Sequence, residues 1–273
     1  MSIHRVSLML AASAGLAACG GGSGDDAPAA LGGSTPPPPA VVLPLLSVLE
    51  QTPATPSRAG ATYDPVRDSF IILPPEADFE VEIARNTDPA VPRPGGFSVY
   101  SNGVANAVRI VTSSGSGTAF AAHLGGNAAE RGHARLTETP VPTPGRATFA
   151  GSYMGIITTV DSFAYRGFIT GEVALRADFD AMTMEGDITR RVNTSGRDFA
   201  PLALDPSPIS AEGGFGGPTS GGILTGLGYD SATGVYGGLV TGPGGGEVVG
   251  SVSVLHEDAT LRPFLERGAF AAE

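Results

Sequence analysis

The alternation of apolar and polar residues in Phe168–Arg191 restricts the fold more than any other feature of this chain. Read from position 168, the segment is FITGEVALRADFDAMTMEGDITRR. Apolar residues or glycine fill one set of alternate positions, namely Ile169, Gly171, Val173, Leu175, Ala177 and Phe179, and then Met182, Met184, Gly186 and Ile188. Because a β-strand directs successive side chains to opposite faces, the pattern predicts a long hairpin that turns at Asp180-Ala181. One face of this hairpin is expected to be buried and the other solvated.

The same alternation continues through the rest of the C-terminal region. Further strands are predicted at 148–157, 207–215, 222–227, 235–241, 247–255 and 268–271. With the hairpin there are about eight strands, the number at which inward side chains can fill a closed barrel. We therefore predict an all-β protein with a C-terminal eight-stranded antiparallel up-and-down β-barrel at 146–273. An open sheet covered by a second sheet is the alternative.

The two faces of these strands differ in a way that favours a soluble barrel. The face with the large apolar residues also carries glycines, as a narrow barrel requires, at positions Gly151, Gly155, Gly171, Gly186 and Gly250. The opposite face carries charges, at positions Glu172, Arg176, Asp178, Glu185 and Asp187. A barrel that spans a membrane would need an apolar band on that outward face.

Residues 1–18 have the features of a secretion signal. The positive pair His4-Arg5 precedes the apolar run Val6–Leu16, which is shorter than the roughly 20 residues of a membrane-spanning helix. The run ends in Leu16-Ala17-Ala18-Cys19, which resembles the bacterial lipobox, whose cysteine is acylated and becomes the mature N-terminus. Cys19 is the only cysteine in the chain, so it has no partner for an internal disulfide. An ordinary signal peptide with a chance cysteine is the alternative.

Composition divides the region between this signal and the barrel. Residues 19–60 are rich in glycine and proline and are predicted to form a flexible tether. Residues 61–124 contain short β-rich runs separated by turn residues, which predicts a smaller β-rich subdomain. Residues 125–145 are polar and proline-containing, and we predict a linker there.

The charge balance argues against two classes of partner. The chain has 27 acidic residues and 16 basic residues, all of them arginine, for a formal net charge of −11. Binding to nucleic acid needs concentrated positive charge against phosphates, and flat docking on anionic lipid needs the same. No nucleic-acid partner is therefore predicted.

Several glycine-rich motifs carry a resemblance to a known family. They are GSYMG at 151–155, GFITG at 167–171, GDI at 186–188, GGFGG at 213–217, GVYGG at 234–238 and EVVG at 247–250. These resemble the barrel of the transferrin-binding protein B family, surface lipoproteins of Gram-negative bacteria in which each lobe joins a β-rich handle to an eight-stranded barrel. The resemblance implies one such lobe, with 61–124 as the handle-like subdomain. The transferrin receptors have two lobes, and smaller one-lobe relatives are associated with haem or host proteins.

The sequence shows no recognisable catalytic or metal-binding arrangement. The histidines His123, His133 and His256 are not at metal-ligand spacing from one another. His133 is expected to be solvated in a loop. His256 continues the inward register of Val248–Val254 and is expected at the barrel rim rather than as an iron or haem ligand. We predict no catalytic residue, no metal site and no enzyme activity. No cofactor is expected, although the resemblance leaves haem open as a cofactor.

These features predict a lipid-anchored outer-membrane surface lipoprotein that binds a ligand or protein without catalysis, and that serves in iron or haem acquisition if the resemblance extends to function. Gly20 after the cysteine favours the outer membrane under the sorting rules that the lipobox resemblance implies. Recognition is expected in loops at one barrel end, at Val160–Arg166, Val192–Asp205 and His256–Pro263. The candidate ligand-loop residues are Phe163, Tyr165, Arg197 and His256. A structural or envelope-interaction lipoprotein without a diffusible ligand is the alternative.

Overall fold

The computed structural model describes residues 41–43, 60–73, 80–103, 105–123, 129–137, 144–160, 165–223, 229, 231–258 and 262–273. All of them belong to one compact unit, Pro37–Glu273. The predicted signal peptide, Cys19 and Phe163 lie outside the described residues. Among the described residues there is no α-helix, and none of their helical turns is long and apolar enough to cross a membrane.

The C-terminal region forms a closed β-barrel, which confirms the predicted fold class. Its strands are β9 (Arg146–Thr159), β10 (Tyr165–Asp178), β11 (Thr183–Asn193), the short β12 (Asp198–Phe199), β13 (Leu202–Pro208), β14 (Gly214–Gly221), β15 (Ser231–Thr241), β16 (Glu247–Glu257) and β17 (Phe264–Ala272). The eight long strands pair antiparallel with their neighbours in sequence, and β17 pairs with β9 to close the barrel. This is an up-and-down topology, in which connections alternate between the two ends.

Two strands lie several residues before their predicted positions. Sequence placed strands at 207–215 and 222–227, whereas β13 and β14 end at Pro208 and Gly221. The predicted strand at 207–215 in fact spans the turn between them, which Gly213 closes with a φ of 76°. Glycine and proline dominate this stretch, so few side chains were present to show the alternation.

The barrel interior is filled by side chains from every long strand. Phe149, Tyr153 and Ile157 of β9 lie in this core, and the glycines between them lie on the same face. A Cβ atom at Gly155 would come within 2.7 Å of the Tyr153 hydroxyl, and one at Gly268 would overlap the Tyr153 ring. The predicted pairing of inward glycines with large residues is therefore what makes room for Tyr153.

The region before the barrel forms two four-stranded antiparallel sheets. The outer sheet consists of β1 (Val41–Leu43), β2 (Gly60–Asp64), β3 (Ser69–Leu73) and β4 (Val81–Ala84), and the inner sheet of β5 (Ser98–Ser101), β6 (Asn106–Val111), β7 (Gly117–His123) and β8 (Ala129–Arg135). β8 lies within the stretch predicted as a linker, 125–145, so that prediction is wrong for 129–135. The strand was missed because its polar side chains serve contacts to the barrel rather than an apolar face.

The three sheets stack as layers. Val99, Val108 and Ala121 of the inner sheet pack on the outside of the barrel wall, against Met154 and Val249. The other face of the inner sheet packs on the outer sheet through a second cluster, whose members are Phe70, Ile83, Tyr100, Ala105, Ala107, Phe120, Ala122 and Ala134. Because part of the wall is covered in this way, the outward face of β16 is buried as well as its inward face.

Candidate functional site at the loop end of the barrel

The predicted recognition loops gather at one end of the barrel, which we call the loop end. In an up-and-down barrel the connections β9–β10, β11–β13, β14–β15 and β16–β17 all fall at that end. The Val160 amide donates to the Pro263 carbonyl over 3.0 Å, and the Thr194 amide donates to the Phe168 carbonyl over 3.1 Å. The structure thus brings together the described parts of the three predicted loops, at residues 160, 165–166, 192–205, 256–258 and 262–263, as expected of a composite surface.

The turn that carries Arg197 is held by its own side chains. The Asn193 carboxamide oxygen accepts hydrogen bonds from the backbone amides of Ser195 and Arg197, over 3.0 and 2.9 Å. The backbone amide of Asn193 in turn donates to the Arg197 carbonyl over 3.0 Å. The backbone of this turn is therefore ordered, while the Arg197 side chain is exposed.

Tyr165 also lies at the loop end, at the first position of β10. Its ring packs edge-on against Phe168, with ring centroids 5.4 Å apart, and 38% of the residue remains exposed. Partial burial raises the pKa of the Tyr165 hydroxyl to about 12, so it is a neutral donor at physiological pH. Phe163, the fourth candidate, falls among the residues that the structure does not describe.

Beneath the loop end, the barrel contains a group of polar side chains that we call the buried network: Tyr153, Arg191, His256 and Glu266. Each of the four is fully buried. Glu266 forms an ion pair with Arg191 and accepts a 2.6 Å hydrogen bond from the Tyr153 hydroxyl. Its carboxylate also lies 3.0 Å from His256 Nε2. Arg191 Nη1 also donates to the carbonyls of Ala200 and Gly222, over 2.7 and 3.1 Å. The network therefore ties two loop-end connections to the barrel core.

A β-bulge places Arg191 inside the barrel. Continuing the alternation of β11 past Ile188 would put Arg190 inside and Arg191 outside. Instead, Arg190 adopts a left-handed φ of 49°, and the pairing with β10 slips by one residue beside it. The bulge turns Arg190 out to Glu172, 2.7 Å away, and turns Arg191 inward. Sequence periodicity could not reveal this, because the two arginines are adjacent and either could face the core.

The buried network keeps Glu266 ionised. Burial alone would raise the pKa of the carboxyl, but the charge of Arg191 and the hydrogen bonds from His256 and Tyr153 outweigh it and hold the pKa at about 2. Burial and the neighbouring Glu266 charge raise the pKa of the Tyr153 hydroxyl, which stays protonated and donates. The arrangement is a neutralised structural network; its groups contact one another rather than an open surface.

His256 lies on the inward face, as the register predicts, but it is not at an open rim. The residue is 0% exposed, and its Nε2 faces Glu266. Its Nδ1 is buried without a hydrogen-bond partner among the described residues, as is Nε of Arg191. The sequence analysis did not identify Glu266. One signal for it was present, because Glu266 shares the inward register of Phe264, Gly268 and Phe270.

His133 was also predicted incorrectly. It lies in β8 rather than in a solvated loop, is 2% exposed, and has Nδ1 3.3 Å from Ser251 Oγ on the barrel wall. Burial, assisted by the charge of Arg131, lowers the pKa of His133 to about 3, so it is neutral. Among the described residues, no group of three or more His, Cys, Asp or Glu side chains could hold a metal ion.

The opposite end of the barrel is joined to the inner sheet by a second buried carboxylate, that of Glu247. The turn between β6 and β7 surrounds it with donors: Ser114 Oγ and Ser116 Oγ both lie 2.6 Å from Oε2, and Ser113 Oγ and the Ser114 amide both lie 2.9 Å from Oε1. Burial would raise the pKa of Glu247, but these hydrogen bonds lower it to about 2. We call this junction, together with His133 and Ser251, the seam.

Comparison with known proteins finds no matching protein family and no matching curated protein. Similar solved structures include transferrin-binding protein B from Neisseria meningitidis serogroup B, with 15% identity and a TM-score of 0.45. They also include a mutant of the transferrin-binding protein B of Haemophilus parasuis, with 12% identity and a TM-score of 0.43. The haemoglobin receptor HpuA from Kingella denitrificans, in complex with human haemoglobin, has 13% identity and a TM-score of 0.38.

The lengths compared differ between these structures. The similarity covers 71% of this chain and 37% of the Neisseria protein, and 79% of this chain and 50% of the Haemophilus protein. For HpuA it covers 87% of this chain and 89% of the receptor. The chain thus spans half or less of the transferrin-binding proteins that it matches. At these identities the similarity concerns the arrangement of strands alone.

Proposed function

We propose that this chain is a lipid-anchored surface lipoprotein of the outer membrane whose barrel binds a protein partner through its loop end, without catalysis. One observation carries the binding part of this proposal: four connections, among them the three predicted recognition loops, fall at one end of a filled barrel. A surface of this kind, built on a rigid scaffold, is where recognition residues are commonly found.

The packing beneath the loops supports binding at the surface rather than inside the barrel. Tyr153, Tyr236 and Phe270 fill the interior and are fully buried. Arg191 holds the carbonyls of two loop-end connections, so part of the conformational cost of ordering those loops is met within the free protein. In the described part of this end, the carbonyls of Ala200 and Gly222 are thus already held before a ligand binds, above an interior filled by side chains.

The proposed partner is an iron- or haem-carrying protein. The class comes from the sequence resemblance to the transferrin-binding protein B family, and transferrin and haemoglobin are accordingly the first partners to test. Direct ligation of free haem by His256 is not favoured, because that ring is enclosed and faces Glu266. Service in iron or haem acquisition is the role that would follow from binding such a protein.

Binding is tested with the full chain carrying Cys19→Ser, immobilised and exposed to human transferrin and human haemoglobin. The double variant Tyr165→Ala/Arg197→Ala should weaken the interaction by about tenfold or more, because aromatic and arginine side chains dominate many interfaces. The matched control is Arg146→Ala/Met182→Ala at the opposite end, where Met182 is 37% exposed against 38% for Tyr165. Equal losses in the two variants, or no saturable binding of either protein, would contradict the proposal.

The anchor is tested separately by metabolic labelling with a radioactive fatty acid. Wild-type protein should incorporate the label and fractionate with the outer membrane, and the Cys19→Ser variant should lose both properties, since acyl chains provide the membrane affinity. Surface exposure is then checked by protease treatment of intact cells. Unlabelled wild-type protein would contradict the anchor without affecting the binding test.

A further inference from the structure

Two arginines at the loop end differ from the others that the structure describes. The side chains of Arg166 and Arg197 are exposed, and no hydrogen bond, ion pair or ring contact joins either of them to a described residue; the charge of Arg166 acts on the Tyr229 hydroxyl. Three other arginines on the barrel surface are each paired with carboxylates: Arg146 with Asp178, Arg176 with Glu185 and Asp187, and Arg190 with Glu172. The chain has 27 acidic and 16 basic residues, so carboxylates outnumber arginines. An exposed arginine without a carboxylate partner is therefore the exception.

The backbone segments that carry the two arginines lie side by side at the loop end, where the Thr194 amide donates to the Phe168 carbonyl over 3.1 Å. Arg166 directly precedes Gly167, where a Cβ atom would lie 2.7 Å from Thr194 Oγ1. Thr194 belongs to the hydrogen-bonded turn that Arg197 closes. Tyr165 is adjacent in sequence and is one of only three large apolar or aromatic side chains that are exposed among the described residues. We call these three residues, Tyr165, Arg166 and Arg197, the Tyr165 patch.

We infer that the Tyr165 patch binds carboxylates on an acidic surface of the protein partner, an inference that rests on the proposed function for the existence of that partner. A guanidinium presents several donors in a plane that matches a carboxylate, and it keeps its charge at any physiological pH. The partly exposed Tyr165 ring supplies apolar area at the same end of the barrel, and its neutral hydroxyl supplies a further donor. The combination of aromatic and arginine side chains is typical of residues that carry protein–protein affinity.

The charge of the whole molecule favours a protein over an anionic membrane as the occupant. A membrane surface extends over the entire face of the protein, and a net charge of −11 opposes such an approach. A protein partner can instead present a few carboxylates locally. Local complementarity of this kind acts on the association rate and on specificity, and it is screened by salt.

The test measures binding of a fluorescent oligoglutamate peptide to the full chain carrying Cys19→Ser, with oligolysine as the control peptide. Arg166→Ala/Arg197→Ala should weaken oligoglutamate binding about tenfold and reduce its dependence on salt. The matched control is Arg146→Ala/Arg176→Ala on the outer wall, which removes the same charge from arginines that are already paired. The control should change binding less than about twofold.

A second readout reports the residues directly. Phenylglyoxal labelling with mass spectrometry should modify Arg166 and Arg197 faster than Arg146 and Arg176, and oligoglutamate should protect the first pair. Equal losses in both double variants, no saturable oligoglutamate binding, or binding to anionic vesicles that the patch variant abolishes would each overturn the inference.

The outcome is distinguishable from failure of the proposed function. If transferrin or haemoglobin binds the loop end with an affinity that Arg166→Ala/Arg197→Ala does not change, the proposed function stands and the inference about carboxylates fails. If neither protein binds while oligoglutamate binding still depends on the patch, the carboxylate site stands and the proposed partner class fails.

Discussion

The barrel interior and the seam each bury a carboxylate whose pKa is held at about 2, but they do so by different means. Inside the barrel, Glu266 is neutralised by the full charge of Arg191. At the seam, Glu247 is surrounded by hydroxyl groups and a backbone amide from one turn of the inner sheet. No cation is among its hydrogen-bond donors in the described residues.

The difference teaches how each junction depends on its neighbours. In a buried ion pair each charge depends on the other, because removing either one leaves its partner unpaired in a medium of low polarity. A carboxylate that accepts several neutral hydrogen bonds spreads its stabilisation over many donors, so the loss of one is tolerated better. The interior should therefore respond to substitution more sharply than the seam.

The largest effect is expected for Arg191→Met. The variant leaves Glu266 buried without its cation and frees the carbonyls of Ala200 and Gly222, and it should lower the free energy of unfolding by about 3–5 kcal/mol. Denaturant unfolding measures the loss. The neighbouring variant Arg190→Met removes only an exposed pair with Glu172 and should cost about 1 kcal/mol or less. Similar losses of unfolding free energy in the two variants would show that the buried network stabilises the barrel no more than the exposed ion pair does.

A smaller effect is expected for Glu247→Gln. The amide keeps the shape of the side chain but loses the charge that strengthens its hydrogen bonds, and the free energy of unfolding should fall by about 2 kcal/mol. Amide hydrogen exchange in the turn at 113–116 should accelerate as well. Glu257→Gln, at the exposed far end of β16, is the matched control and should be near neutral. A loss as large as that of Arg191→Met would remove the distinction between interior and seam.

The smallest effect near neutral pH concerns His133 at the seam, and it appears only on mild acidification. Its folded pKa of about 3 lies below the ordinary value of 6.5, so the unfolded state binds more protons between these values. Stability is therefore fully present above pH 6.5 and falls as the pH drops towards 3. At pH 5 the loss from His133 should be no more than about 2 kcal/mol.

His133→Gln tests this assignment, because glutamine cannot titrate and can still hydrogen-bond to Ser251. Thermal unfolding measured from pH 7 to pH 5 should show a shallower decline in the variant than in the wild type. An unchanged decline would assign the acid sensitivity to other groups. The carboxylates lose their contribution only at lower pH, between about 4.5 and about 2, since their folded pKa values are depressed.

Part of the candidate site could be read from the sequence and part could not. The loops that hold Tyr165 and Arg197 follow from the strand order, because alternate connections of a meander fall at the same end. Arg191 could not be assigned, since a single bulge at Arg190 decides which of two adjacent arginines faces inward. His133 was misplaced because β8 is identified by its contact with the barrel wall, which lies far away in sequence.

By itself, the sequence determined the barrel, its meander topology and the pairing of inward glycines with large residues, because period-two hydrophobicity is a local property of a strand. Only the tertiary structure decided that an ion pair closes the barrel beneath the loops and that a carboxylate joins it to the inner sheet. Those contacts join residues 75 and 131 positions apart. No local pattern encodes which polar side chains will meet once the strands have paired.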